Sequence, residues 1–166
     1  MVNKNPYKPQ VELTELRLFD NPIALNEEYN QRVILNKSLS ETKKITLRHF
    51  ENSLSLEFAG MHYSVPEKNQ YAYRLKGFED DWKITSAERR YATYTNLPDG
   101  KYIFQLKASN SDGIWTHSLK ELKIEINPPW YKTWLARLGY ALVVLAILYL
   151  FRRFIIIRTN YVNNIR

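Results

Sequence analysis

"YTNLPDGKYIFQLKASNSDGIW", Tyr94 to Trp115, decides the fold. In "YIFQLKA", apolar and polar residues alternate with the period of two that belongs to a strand with one buried and one wet face. A Leu-Pro-Asp-Gly turn runs straight into Tyr102, which opens the strand. That is the sequence form of a tyrosine corner, in which a tyrosine hydroxyl near the sheet edge bonds back to the connection before it. Tyr102 is therefore assigned a structural part rather than a catalytic one. "SNSDGIW" reads as a hairpin, with Gly113 supplying a positive φ and Trp115 expected to pack on the strand that follows.

Working outward, "VELTELRLF", "SLSLEF", "YAYRL" and "ELKIEI" repeat the same alternation. They are separated by "DNP" at Asp20–Pro22, "VPEKN" at Val65–Asn69, "PDG" at Pro98–Gly100 and "SDG" at Ser111–Gly113. No helical period precedes Pro128, so residues 11–127 are predicted to be all-β, a sandwich or barrel of short hairpin-connected strands. Gly60 interrupts its strand and suggests a bulge there.

After "ELKIEIN" the pattern changes abruptly. Pro128 and Pro129 lead through Trp130, Tyr131 and Trp134 into Leu138–Phe151, which is free of charge. The bare run is short for a span. With its aromatic flanks, Tyr149 near its end and Arg137 able to snorkel, it reaches the roughly 20 residues a bilayer core requires. All 17 acidic residues lie between Glu12 and Glu125, whereas the tail from Tyr131 onward holds six of the 24 basic residues and no acid. The net charge of +7 is thus a property of the tail. Arg152, Arg153, Arg158 and Arg166 mark the cytoplasmic side of a span and leave the β domain outside. The β part lacks a basic stripe, and nucleic-acid binding is not expected. "MVNKNPYKPQ" has no apolar export segment, so the chain reads as an excerpt of a longer one. Phe154, Ile157, Tyr161 and Ile165 start a helical stripe beyond the span.

Little here points to catalysis. The chain has no cysteine, which excludes disulfides and thiolate metal sites. His49, His62 and His117 are isolated, and no Gly-rich phosphate loop or Ser/His/Asp arrangement occurs. Glu79, Asp80 and Asp81 in "FEDDW" read as solvated turn residues, without the alternating oxygens of a calcium loop. No enzyme activity, cofactor or metal is predicted. Aromatics make up 14% of the chain, enough to raise an alternative function as a membrane-anchored carbohydrate-binding module. Tyr71, Tyr73, Tyr102, Phe104 and Phe58 fall on strand positions and read as packing. Tyr7, Tyr29, Tyr63 and Tyr91 remain as candidates for stacking on sugar.

"YAYRLKGFEDDW", "YTNLPDGKYIFQLKASNSDGIW" and "NPPWYKTW" followed by a span together resemble the three-tyrosine (Y_Y_Y) domain with its exit into the membrane. The three tyrosines would be Tyr73, Tyr94 and Tyr102, with supporting matches at Leu75, Gly77, Trp82, Leu97, Gly100 and the turn from Asn110 to Trp115 that includes Gly113. The resemblance implies a fibronectin type III/immunoglobulin-like β-sandwich followed by a single C-terminal transmembrane helix. It further implies the last extracytoplasmic domain of a hybrid two-component sensor of gut bacteria that responds to glycan breakdown products. In such receptors two β-propellers precede the domain and a histidine kinase follows the span, so the phosphorylated residues lie outside this chain. The expected segments are an N-terminal arm (1–10), the sandwich (11–127), the Pro/Trp connector (128–134), the span (135–153, closed by Arg152 and Arg153) and the start of a cytoplasmic signalling helix (154–166). The expected partners are a second copy in a homodimer, the propellers and kinase of the parent chain, the membrane and an oligosaccharide. The expected place is the bacterial inner membrane, crossed once, with the sandwich in the periplasm.

Overall fold

The computed structural model describes residues 10–60, 70–110, 113–116 and 118–164. They fall into two compact units, Met1–Asn127 and Pro128–Arg166.

The first unit is all β. Its strands are β1 (Val11–Leu18), β2 (Asn21–Pro22), β3 (Glu28–Tyr29), β4 (Arg32–Val33), β5 (Lys44–Leu47), β6 (Leu54–Gly60), β7 (Gln70–Lys76), β8 (Lys83–Ser86), β9 (Tyr91–Tyr94), β10 (Gly100–Ser109) and β11 (Lys120–Ile126). One sheet has the order β2-β1-β6-β9, the other β5-β11-β10-β7-β8, and β3-β4 form a small hairpin of their own. The pairs are antiparallel except β5–β11, which run parallel with Ile45 opposite Ile124 and Leu47 opposite Ile126. A parallel pair needs a long crossover, and the chain supplies it between β5 and β11, running through β6 and β9 of the first sheet and β7, β8 and β10 of the second.

The inner faces meet in one core. Leu16, Leu18, Leu54, Leu56 and Phe58 come from the first sheet, and Leu75, Phe104, Leu106, Leu122 and Ile124 from the second, each at most 1% exposed. Burying each such side chain contributes roughly 1.5–3 kcal/mol before entropy is counted.

The bulge expected at Gly60 lies across the sheet instead. In β1 the register against β6 shifts between Leu13 and Glu15, which keeps Val11, Leu13, Leu16 and Leu18 all buried despite the three-residue step from Leu13 to Leu16. Gly60 answers to a close approach. Its N–H donates to the Tyr71 hydroxyl at 2.9 Å, and a Cβ there would sit 2.8 Å from that oxygen.

The second unit begins with the extended Pro129 and a single 3-10 turn, Trp130–Lys132. Helix α1 then runs from Trp134 to Asn164. Thr133 starts it: its backbone is extended, and its Oγ1 accepts from the Ala136 N–H at 3.5 Å. The helix passes through Arg152 and Arg153 without a break, so the segments expected as the span (135–153) and as the helix after it lie on one continuous element.

Candidate functional site

Tyr73 and Tyr94 pack against Phe104, and Tyr102 lies two residues before it on β10, yet each is held differently. Tyr102, in β10, donates its hydroxyl to the Pro98 carbonyl at 2.8 Å and closes the β9–β10 connection. Within that connection Leu97 is buried and its N–H donates to the Asn52 carbonyl at 3.0 Å. Gly100 lies under the Tyr102 ring, where a Cβ would approach the hydroxyl to 3.3 Å. Tyr94, buried in β9, donates to Glu79 Oε1 at 2.7 Å. The other Glu79 oxygen pairs with Lys83 Nζ at 2.5 Å, and that ammonium lies 5.4 Å from the Tyr94 ring centroid. Tyr73 stacks on Phe104 at 6.1 Å between centroids and tilts against Phe58 at 5.9 Å. Tyr94 meets Phe104 edge-on at 6.4 Å.

Burial raises the pKa of all three phenols, and for Tyr94 the hydrogen bond to Glu79 raises it further. They stay protonated at neutral pH, fit for donating hydrogen bonds and for packing rather than for taking up protons.

The "GFEDDW" loop is more engaged than a solvated turn. Gly77 turns it at φ +96°, where a Cβ would come within 3.0 Å of the Lys101 carbonyl. Glu79 is bonded as above, and the Asp80 carbonyl accepts from Arg74 Nη1 at 3.1 Å. Of its three acids, only Asp80 and Asp81 are exposed. Trp82 then lies within 4.6 Å of the Arg74 guanidinium and 4.3 Å of Lys107 Nζ, both measured to its ring centroid. Lys107 also reaches the Trp115 ring at 5.1 Å. Trp115 bridges to Ser109, so its backbone lies against β10, the strand before its turn. Gly113, at φ +75°, makes that turn, and the Asn110 side chain accepts from the Ile114 N–H at 2.9 Å. Val65–Asn69, Tyr7, Tyr63, His62 and His117 lie outside the described residues.

Sequence reasoning missed the one carboxylate that is buried among the described residues. Glu51 is wholly buried and accepts from the Arg48 N–H at 2.8 Å, from Asn30 Nδ2 at 3.1 Å and from Arg32 Nη2. Burial pushes its pKa up, but these three donors together hold it below the usual carboxylate range. The cluster ties the β3-β4 hairpin to the turn after β5. No spacing in "RHFEN" announces it.

No group of three or more metal-binding side chains occurs among the described residues. Of the tyrosines considered for sugar stacking, Tyr29 packs partly against the core. Tyr91 is half exposed, beside a groove of about 260 Å³ lined by Arg17, Asp20, Ser55, Glu57 and Thr93.

In the second unit, Trp134–Tyr161 is long and apolar enough to cross a membrane. Its apolar part, Trp134 to Phe151, is about 27 Å long at 1.5 Å per residue, close to a bilayer's hydrocarbon core. Trp130, Tyr131 and Trp134 stand at one end, and Arg152 and Arg153 follow the other. Leu, Ile and Val side chains are exposed all around it, as a lipid-facing helix would be.

Comparison with known proteins gives a consistent result. Residues 62–127 match the Y_Y_Y domain. Histidine kinase P4 of Formosa agariphila is 32% identical over 143 residues, covering 86% of this chain and 10% of that protein. BT4673 of B. thetaiotaomicron, whose extracellular domain is described as part of a one component system in one crystal structure and of a hybrid two component system in another, superposes with TM-scores of 0.64 and 0.63 at 28% and 29% identity. Those matches cover 78% and 77% of this chain and 17% and 16% of theirs. The extracellular domain of the hybrid two component system BT3049 from the same organism gives 0.56 at 31% identity, over 74% of this chain and 16% of its own. This chain spans about a tenth of the curated relative and about a sixth of the crystallised domains. Residues 62–127 thus match the Y_Y_Y domain, within a β-sandwich similar to part of the extracellular domains of hybrid two-component systems that is followed by one apolar helix.

Proposed function

We propose that this chain is the membrane-proximal relay segment of a two-component sensor. The sandwich stands outside the inner membrane, α1 crosses it, and the C-terminal turns of α1 lead toward a kinase in the cytoplasm. Support comes from β11, which is braced on both sides by β5 and β10 and ends seven residues before α1 begins. Two prolines and a capped 3-10 turn fill that gap. Proline fixes φ and removes a backbone donor, so few soft dihedrals separate the sheet from the helix. Displacement of the sandwich is then passed to the helix instead of being absorbed. The span and the turns after Arg153 form one continuous helix, which extends the same argument to the far side. Relay of this kind works between two copies whose helices have two discrete arrangements, with the stimulus, a glycan fragment, bound by domains upstream.

Inserting Gly-Gly-Ser-Gly between Asn127 and Pro128 of a receptor containing this segment is expected to abolish the dependence of kinase output on stimulus, with expression and membrane insertion unchanged. Autophosphorylation in membranes with and without stimulus reads this directly. An unaltered response would exclude the stiff connector.

A further inference from the structure

The phenylalanines of the sandwich unit divide into two sets. Phe58 and Phe104 are wholly buried, whereas Phe19, Phe50 and Phe78 are 49%, 46% and 49% exposed. Single exposed apolar side chains are ordinary on a protein surface, but these three share one place. Phe19 follows β1, Phe50 lies between β5 and β6, and Phe78 follows β7. The register puts the ends of β1, β5, β7 and β11 with the starts of β6 and β10: Leu18 opposes Leu54, Gly100 opposes Ile126, Lys76 opposes Ile103, and Leu47 pairs with Ile126. Backbone bonds knit this end together, from the Phe19 N–H to the Ser53 carbonyl at 3.1 Å and from the Asn127 N–H to the Leu47 carbonyl at 2.9 Å. It is also the end from which the chain departs. Between Asn127 and Trp134 there are six residues, a reach of at most about 25 Å. The exposed Leu119 belongs to the opposite end, just before β11.

Resting on the reading of α1 as a membrane span, we propose that this end of the sandwich is a lipid-docking surface. Phe19, Phe50 and Phe78 enter the interfacial layer of the bilayer that α1 crosses. Aromatic rings favour that layer, and a loop-borne apolar patch binds it through buried area. The charges nearby are mixed. Arg48, whose guanidinium lies 5.8 Å from the Phe50 ring, Lys76 and Lys101 are set against Asp20, Asp80, Asp81 and Asp99. Docking is therefore driven by the rings and is insensitive to headgroup charge. It would hold the sandwich at a fixed height and tilt, so that leaving the surface is a second arrangement open to a signal.

The chain contains no cysteine, so single nitroxide labels can be placed at Phe19→Cys, Phe50→Cys, Phe78→Cys, Leu119→Cys and, within α1, Leu145→Cys. The full chain is reconstituted in phosphatidylcholine bilayers with and without phosphatidylglycerol, and labels are scored by oxygen against nickel-chelate accessibility. The expected result is a several-fold higher oxygen-to-nickel ratio at positions 19, 50 and 78 than at 119, unchanged by phosphatidylglycerol. Aqueous values at all three with a lipid value at 145 would overturn docking and leave the span intact. Aqueous values at 145 as well would overturn both. Spin–spin broadening at 19, 50 or 78 that vanishes on dilution with unlabelled chain would show that a second copy covers the patch, and would equally overturn lipid docking.

Discussion

Phe104→Ala is expected to lower the stability of the sandwich by about 4 kcal/mol, the largest effect of any single truncation proposed for this molecule. Phe104 is fully buried at the middle of β10, with Tyr73 stacked on one side and Tyr94 edge-on at another. Removing the ring costs its transfer free energy. It also opens a cavity that two tyrosines held elsewhere cannot fill, since Tyr94 is tethered to Glu79. A domain of this size has roughly 5–15 kcal/mol to lose, so the variant should melt far earlier in urea while Phe104→Leu should lose under about 1.5 kcal/mol. A loss below about 1 kcal/mol for Phe104→Ala would mean that the aromatic cluster is looser than its geometry indicates.

The second large effect is electrostatic. Glu51→Ala should cost about 3 kcal/mol, because it leaves the Arg32 guanidinium, the Arg48 N–H and Asn30 without their shared acceptor in a buried setting. The pH dependence has a definite sign. The folded pKa of Glu51 lies below its unfolded value, so its stabilisation is complete above the unfolded carboxylate pKa. It is lost as pH falls through that value and on through the lower folded one. Urea midpoints of the wild-type chain should therefore drop between neutral pH and the acid range by more than those of Glu51→Gln. Parallel curves for the two proteins would contradict this assignment.

Much of the architecture was readable from the chain because it rests on local pattern. Alternation located the long strands, the Leu-Pro-Asp-Gly turn before Tyr102 located the corner, and the charge-free run located α1. What escaped depends on contacts distant in sequence. The parallel pairing of β5 with β11 joins segments about 80 residues apart, and nothing in "KITL" distinguishes a parallel from an antiparallel edge. Glu51 finds Asn30 and Arg32 across the hairpin insertion. Glu79 looked like one acid among three until Tyr94 and Lys83 were folded against it. The bulge of β1 is an intermediate case. The step of three from Leu13 to Leu16 is visible in "VELTELRL", and an extra residue is what lets both leucines face inward. Gly60, which looked like the bulge, instead makes room for the Tyr71 hydroxyl.

A sandwich outside and a helix that crosses the membrane place Glu88 and Asn160 on opposite sides, and the absence of cysteine makes that separation directly measurable. Glu88→Cys on the exposed β8–β9 connection and Asn160→Cys in the last turns of α1 can be introduced singly into the chain placed behind an export signal. Spheroplasts are then treated with a membrane-impermeant maleimide. The account predicts labelling of position 88 in intact spheroplasts and of position 160 only after lysis. Equal labelling of both before lysis would contradict it, since α1 would then not separate the two sides.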